Sequence, residues 1–307
     1  VISDLGARAV VADSPGFGSA GRAARVSGML EVCRRHGVPL LDLGDGPSRT
    51  VAGATYHSLE LASEALDAGR LWNLAKWKTH TMMGLTLGVK NLYGCVPGKR
   101  KVSLHLRAGR KPDVFAGHLV DVWSMLRPCL TVLDGVVAME GPGPSRGTPV
   151  ARHLLLASPD APALDWEATR LSGFSPDEVP TVAATLQRGL VAPGRLKVLG
   201  DDAEPVRFLA APGSPSDFAL PGPLKRWARA ALSPAPRFHA GPCTGCGVCR
   251  EACPTRALGP GAPPEFSPDT CIRCYCCHEL CPAGAVDVPR RPLLRILSFV
   301  GRSGRRR

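Results

Sequence analysis

Short apolar runs alternate with amphipathic stretches through the first two-thirds of the chain. Ala7–Ala12 has the pattern of a buried strand, Ala20–Arg35 that of a helix, and Val38–Leu43 that of the next strand. Leu71–Lys76 is strand-like, Lys111–Leu126 has helical periodicity, and Leu130–Leu133 is a strand ending at Asp134. His153–Ala157 and Pro162–Leu171 repeat the strand-then-helix order. This alternation predicts an α/β fold over residues 1–204, a layered domain with a mostly parallel sheet. Residues 205–239 are rich in Pro, Ala and Ser and are expected to be a linker, with one short basic helix over Leu224–Leu232. Residues 240–287 hold nine of the twelve cysteines, and the pattern there fits a small α+β domain. Residues 288–307 form a basic tail.

The bulk numbers narrow the classes. With 307 residues and 44% hydrophobic content, the chain can build one large and one small core, which excludes global disorder. The net charge of +12 is local. No acid falls between Asp67 and Asp113, where Arg70, Lys76, Lys78, Lys90, Lys99, Arg100, Lys101, Arg107, Arg110 and Lys111 lie. The tail adds seven arginines and no acid. Such patches suit local anion binding. Nucleic acid is not an expected partner, because no binding module accompanies the charge. No apolar run reaches the length of a transmembrane segment and no signal peptide is visible, so a cytoplasmic location is expected. The chain starts at Val1, so a processed or truncated product is expected. The tail interleaves Leu293, Leu294, Ile296, Leu297, Phe299 and Val300 with arginines, which would suit weak contact with a membrane surface or an acidic redox partner. The plainer reading is a solvated terminus.

The cysteine spacing carries the chemistry. Cys243, Cys246, Cys249 and Cys253-Pro254 form C-x2-C-x2-C-x3-C-P, and Cys271, Cys274, Cys277 and Cys281-Pro282 repeat it. Two-residue gaps bring three thiolates to three corners of one cube, and the fourth cysteine, expected to begin a short helix, ligates the other cluster. One [4Fe–4S] cluster is thus expected on Cys243, Cys246, Cys249 and Cys281, and a second on Cys271, Cys274, Cys277 and Cys253. The module resembles the bacterial two-cluster ferredoxin fold at all eight ligand positions. Zinc sites usually pair two Cys-x-x-Cys knuckles and need no third cysteine with a following proline. A disulfide scaffold lacks its secretory context. Cys276 beside Cys277 is expected to be a spare loop residue, and Cys33, Cys95 and Cys129 are expected to be small core residues, with Cys95 of interest for its basic surroundings.

Within the basic segment, Lys78, Thr79 and His80 are expected to follow a strand, and Lys90 and Asn91 to sit on a helix containing Gly84 and Gly88. Lys, His and Asn together suit an anionic ligand or proton transfer. His105 and Asp134 are balanced between site and scaffold, Glu140 competes with a loop role, and His118 with Asp121 is expected to be a surface pair at i, i+3. Gly16, Gly18 and Gly21 open a helix, with Asp42 ending the next strand, in the outline of a dinucleotide fingerprint. Asp13-Ser14-Pro15 separates strand from glycines, so nucleotide binding is disfavoured, while a helix start binding some anion remains an expectation.

The residues Lys76-Trp77-Lys78-Thr79-His80, then Thr86-Leu87-Gly88-Val89-Lys90-Asn91-Leu92-Tyr93-Gly94, carry a resemblance to the domain of unknown function 362 family. So do Thr131–Pro144, Ala157-Ser158-Pro159-Asp160 and the following Asp165. The resemblance spans most of residues 1–175, with the front of the family domain expected to be missing. It implies an iron–sulfur protein of redox character, often fused to a two-cluster module. The expected function is therefore passage of single electrons through two [4Fe–4S] clusters to a basic site of Lys78, His80, Lys90 and Asn91, with His80 as acid or base and no substrate assigned. The partner would be a redox protein or an anionic small molecule. The alternatives are a non-catalytic ferredoxin-type carrier docking an acidic partner through Lys99, Arg100 and Lys101, and a metal or cofactor assembly factor.

Overall fold

The structure is a computed structural model. It describes residues 6–16, 18–55, 59–98, 100–101, 104, 108, 111–212, 234–253 and 255–289. The expected helix over 224–232, the basic tail beyond 289, Lys99, His105 and Pro254 lie outside the described residues.

The chain begins with a parallel pair, β1 (Val11–Asp13) and β2 (Leu40–Asp42), joined through α1 (Ala20–Val26) and α2 (Met29–Arg35). The apolar pattern predicts one helix here; two form, because Gly28 takes a left-handed φ of 78° between them. A second pair is antiparallel, β3 (Ser48–Val51) with β4 (Leu59–Ala62), and α3 (Ser63–Leu66) follows it.

The main sheet has four strands in the order β6-β5-β7-β8, comprising β5 (Trp72–His80), β6 (Gly84–Thr86), β7 (Leu130–Glu140) and β8 (Thr148–Ser158). β5 and β7 are parallel, while β5–β6 and β7–β8 are antiparallel. The expectation of a mostly parallel sheet is thus corrected to a mixed one, and connection length is the reason. Residues 81–83 and 141–147 are too short for a crossover and return the chain antiparallel. The stretch between β6 and β7 is long enough, and it carries α4 (Gly88–Asn91) and α5 (Pro112–Leu126).

One face of this sheet is covered by α6 (Ala161–Leu171) and α7 (Pro180–Gln187), with Trp77 and Leu133 packed against Leu164, Ala168 and Leu171. A second cluster joins α5 to β4 through Phe115, Leu119, Leu59 and Leu61. Alternation along β5 buries Asn73, Ala75 and Trp77 and leaves Trp72 and Leu74 exposed on the opposite face. The stretch expected as linker does not leave the domain at once. Phe208 is buried and stacks on Trp77 with ring centroids 5.6 Å apart, and the amides of Val206 and Phe208 donate to the carbonyls of Leu171 and Ser172. The cysteine region adds an antiparallel pair, β9 (Arg237–Phe238) with β10 (Val286–Asp287), and two single-turn helices, α8 (Val248–Glu251) and α9 (Cys276–Leu280).

Gly135 of β7 passes directly over Trp77: a Cβ there would lie 2.6 Å from the indole and 3.1 Å from the Leu154 carbonyl oxygen. Gly135→Ala is expected to cost about 1–3 kcal/mol by overpacking. A urea titration followed by tryptophan fluorescence reads this as a lower midpoint; an unchanged midpoint would show that the indole has room to move.

Candidate functional site

The two cysteine repeats fold alike. α8 carries Cys249 and α9 carries Cys277, and each helix is entered through a left-handed residue, Gly247 (φ 75°) and Tyr275 (φ 61°). The fourth cysteine of each repeat follows its helix rather than beginning it, since Cys281 is the C-cap of α9 and Cys253 comes one residue after the α8 cap Ala252. Each accepts an amide hydrogen from four residues on: Ala257 N donates to Cys253 Sγ at 3.2 Å and Ala285 N to Cys281 Sγ at 3.3 Å.

Cys243, Cys246, Cys249 and Cys281 line one cavity of about 310 Å3. The Cys277 thiol is pushed well above its ordinary pKa, first by burial and then by the nearby thiols of Cys274, Cys271 and Cys253. Four cysteines thus share one cavity, Cys281 joining it from the other repeat, and Cys277 has thiols of both repeats around it, Cys249 included. Among the described residues, no three His, Cys, Asp or Glu side chains close on a single ion. The donor set around the cavity fits an iron–sulfur cube. Cys276 is buried beside Cys277.

The module rests on the α/β domain through the loop after β7. Arg146 Nη2 donates to the Cys281 carbonyl at 2.7 Å and Nη1 to the Val286 carbonyl at 2.9 Å. Burial opposes ionisation of Cys281, but the amides of Ala285 and Ala283 together with Arg146 outweigh it and hold the thiol below its ordinary value. Gly16, in the loop after β1, faces Leu280, which a Cβ at that glycine would meet at 3.8 Å.

The basic segment is more ordered than its sequence suggests. Lys78, Thr79 and His80 belong to β5 itself, and Gly84 opens β6 rather than a helix. His80 is 2% exposed, and its Nδ1 accepts from the amides of Met82 and Met83, both at 3.1 Å. It shapes the β5–β6 turn through Nδ1. Lys78 is partly buried beside Thr86 and Met139. Asn91 donates to Asn73 Oδ1 at 2.8 Å and to the Leu74 carbonyl at 3.0 Å. Leu74 lies six residues before His80 in β5, so Asn91 sits roughly 20 Å from His80 along the strand. Lys90 neighbours the buried Lys101 electrostatically. Lys78 and His80 thus share one end of β5, while Lys90 and Asn91 lie along its side.

Other expected site residues take scaffold positions. His118 and Asp121 are buried rather than a surface pair; Asp121 accepts from Arg188 at 2.6 Å and from the Thr55 amide at 2.7 Å. Asp134 pairs with Lys76 at 2.6 Å, each about 45% exposed. Glu140 accepts the Leu209 amide at 2.7 Å. Asp42 accepts the Ala20 amide at 2.6 Å and the Gly44 amide at 2.9 Å, so the chain supplies its own anion at the start of α1.

Two buried polar centres hold places that their sequence surroundings do not mark. Asp165 is buried and accepts the amides of Gly88 at 2.7 Å and Val89 at 2.9 Å. Burial pushes its pKa up to about 7 against those two donors. Lys101 is 7% exposed and donates to the Ser14 carbonyl; burial first lowers its pKa to about 8, with Asp13 opposing. Cys95 beside them is raised to about 12 by burial and Asp13. The acid-free run containing Lys101 drew attention to charge, but nothing in it marked which lysine is buried.

A cysteine-rich module beside a mixed α/β domain defines the class of iron–sulfur proteins. The family model for a 4Fe-4S binding domain matches residues 236–259, so this region is an iron–sulfur electron-carrier module. The chain belongs to the domain of unknown function (DUF362) family, whose model matches residues 1–170. It is 39% identical over 190 residues to the thylakoid-associated protein sll1697 of Synechocystis sp., an alignment covering 62% of this chain and 59% of that protein. The chain thus spans less than two-thirds of that relative. No solved structure matches.

His80→Ala strands two buried amides and is expected to cost about 1–3 kcal/mol, seen as a lower urea midpoint with iron content unchanged. Loss of iron instead would tie His80 to the clusters. For Asp165, the raised acid means that the folded state holds the proton more tightly than the unfolded state. Its contribution to stability is fully present below the ordinary value of 3.8 and is lost as pH rises through about 7. The urea-midpoint difference between the unaltered chain and Asp165→Asn is expected to change across that window; a difference constant with pH would show that the carboxyl does not titrate there.

Proposed function

We propose that this chain is a redox protein that binds two [4Fe–4S] clusters, one held by Cys243, Cys246, Cys249 and Cys281 and the other by Cys271, Cys274, Cys277 and Cys253. Its own α/β domain would be the destination of the electrons. The observation that carries this reading is the cavity that Cys281, from the second repeat, shares with three cysteines of the first. Such clusters supply single-electron transfer when bound. The protein's part is to hold the thiolates, donate amides to Cys253 and Cys281, and set the module against the domain through Arg146. An anionic substrate or cofactor would be held at the end of β5 by Lys78, with His80 beside it as acid or base, and delivery of electrons to it from the clusters would make the chain an oxidoreductase.

The reading as a carrier docking an acidic partner is less well supported. It needs accessible cations, yet Lys101 is buried and Arg100 is paired with Glu60. Among the described residues no helix is long and apolar enough to cross a membrane. Cluster loading needs a compartment that keeps thiols reduced, and the cytoplasm is proposed. A station beside a membrane, as the printed name of the Synechocystis relative gives for that protein, meets the same need.

The test is iron and acid-labile sulfide analysis with low-temperature EPR on anaerobically purified, reduced protein. About eight iron and eight sulfide per chain, with interacting signals from two centres, are expected. Four iron with one signal would reduce the reading to a single cluster, and zinc in place of iron would overturn it.

A further inference from the structure

The two repeats share their helices and their amide-to-sulfur bonds, but the described contacts from Arg146 and Gly16 fall on the second repeat, at Leu280, Cys281, Gly284 and Val286. The Arg146 guanidinium grips two carbonyls, one of them on Cys281 itself. Gly284 (φ 72°) lies flat beneath it, and a Cβ there would come within 3.4 Å of the guanidinium carbon. Gly16 adds the contact with Leu280, the residue before Cys281. Cys281 is the cysteine that crosses over to line the cavity with Cys243, Cys246 and Cys249. A charged side chain of the α/β domain is therefore fastened to a ligand of one particular cluster. Among the described residues, those lining that cavity include Arg250 and no acid.

We infer that Arg146 is the positioning residue through which the α/β domain addresses the cluster held by Cys243, Cys246, Cys249 and Cys281, fixing Cys281 and raising the reduction potential at that site. The inference rests on the two-cluster reading. Reduction adds one electron, and hence one negative charge, to the site. A guanidinium held in a partly buried place stabilises that charge more than it would in water. Hydrogen bonding and net charge are established controls of cluster potential. The paired donation to backbone carbonyls keeps the cation in place whatever the oxidation state. A free lysine on the surface would not.

The experiment is an EPR-monitored reductive titration with dithionite on the full chain, comparing Arg146→Gln and Arg146→Lys with the unaltered protein. Cys246→Ser identifies the signals, because Cys246 is exposed and its replacement alters the spectrum of the cluster it ligates while sparing the other. Arg146→Gln is expected to lower the midpoint of the Cys246 cluster and leave the other unchanged. Arg146→Lys, which keeps the charge, is expected to restore much of the shift. Loss of four iron from Arg146→Gln at the Cys246 site, recovered in Arg146→Lys, would support the same assignment. Both midpoints unchanged at full iron content, or a shift confined to the other cluster, would overturn it. If the unaltered chain holds four iron, the two-cluster reading fails by itself; a single signal that Cys246→Ser alters and Arg146→Gln shifts to lower potential still supports the role of Arg146, and any other response overturns it.

Discussion

Asp165 spends both carboxylate oxygens on the amides of Gly88 and Val89, and the path of the crossover between β5 and β7 follows from that. The carboxylate binds the start of α4 to α6. The Gly88 carbonyl in turn accepts from Asn73 of β5 at 2.8 Å, and Asn91 closes back onto Asn73. Gly88 must lack a side chain, because a Cβ would stand 2.7 Å from the Thr131 methyl and 3.0 Å from Asp165 itself. With this corner fixed, the chain beyond α4 delivers Lys101 to the Ser14 carbonyl at the end of β1. The loop that Lys101 holds is the one whose Gly16 meets Leu280. A buried carboxylate in the core is linked in this way, bond by bond, to the seat of the cysteine module.

The 4Fe-4S module was legible because its chemistry is written in short-range cysteine spacing, which survives any error about the surrounding fold. Strands and helices were legible as periodicity, but a run such as Leu130–Leu133 carries no direction, so the mixed polarity of the sheet was not. Polar residues concealed the true lengths of β5 and β7. Lys78 and His80 look like a loop in sequence, yet Thr79 donates to the Gly141 carbonyl and His80 organises the turn, so extended structure continues through them. Asp165 was visible only as one residue of a family motif. Arg146, a lone arginine in a loop rich in glycine and proline, carried no signal, because its partners are backbone carbonyls 135 and 140 residues away. Phe208 was lost in the Pro/Ala-rich stretch for a related reason: its ring is ordered by Trp77, a distant residue.

The two repeats show how a duplicated motif becomes asymmetric. Their internal geometry is kept, down to the amide donated to the fourth cysteine of each. The distinction comes from outside, from one guanidinium supplied by a different layer of the molecule. Basic residues elsewhere follow the opposite pattern, since Lys76, Arg100, Arg188 and Arg207 are engaged by acids of the same domain. Net positive charge in this chain is therefore a poor guide to where it meets anything else.

The anchoring of Phe208 bears on how the two parts of the chain meet. One end of the connecting peptide is stitched to the sheet at Phe208, and the other is fastened at Pro234, whose carbonyl accepts from Tyr275 Oη at 3.1 Å. A module tethered at both ends meets its domain at an effective concentration set by the tether, not by how much protein is in solution. Encounter between them is accordingly a first-order event, and dilution leaves its rate untouched.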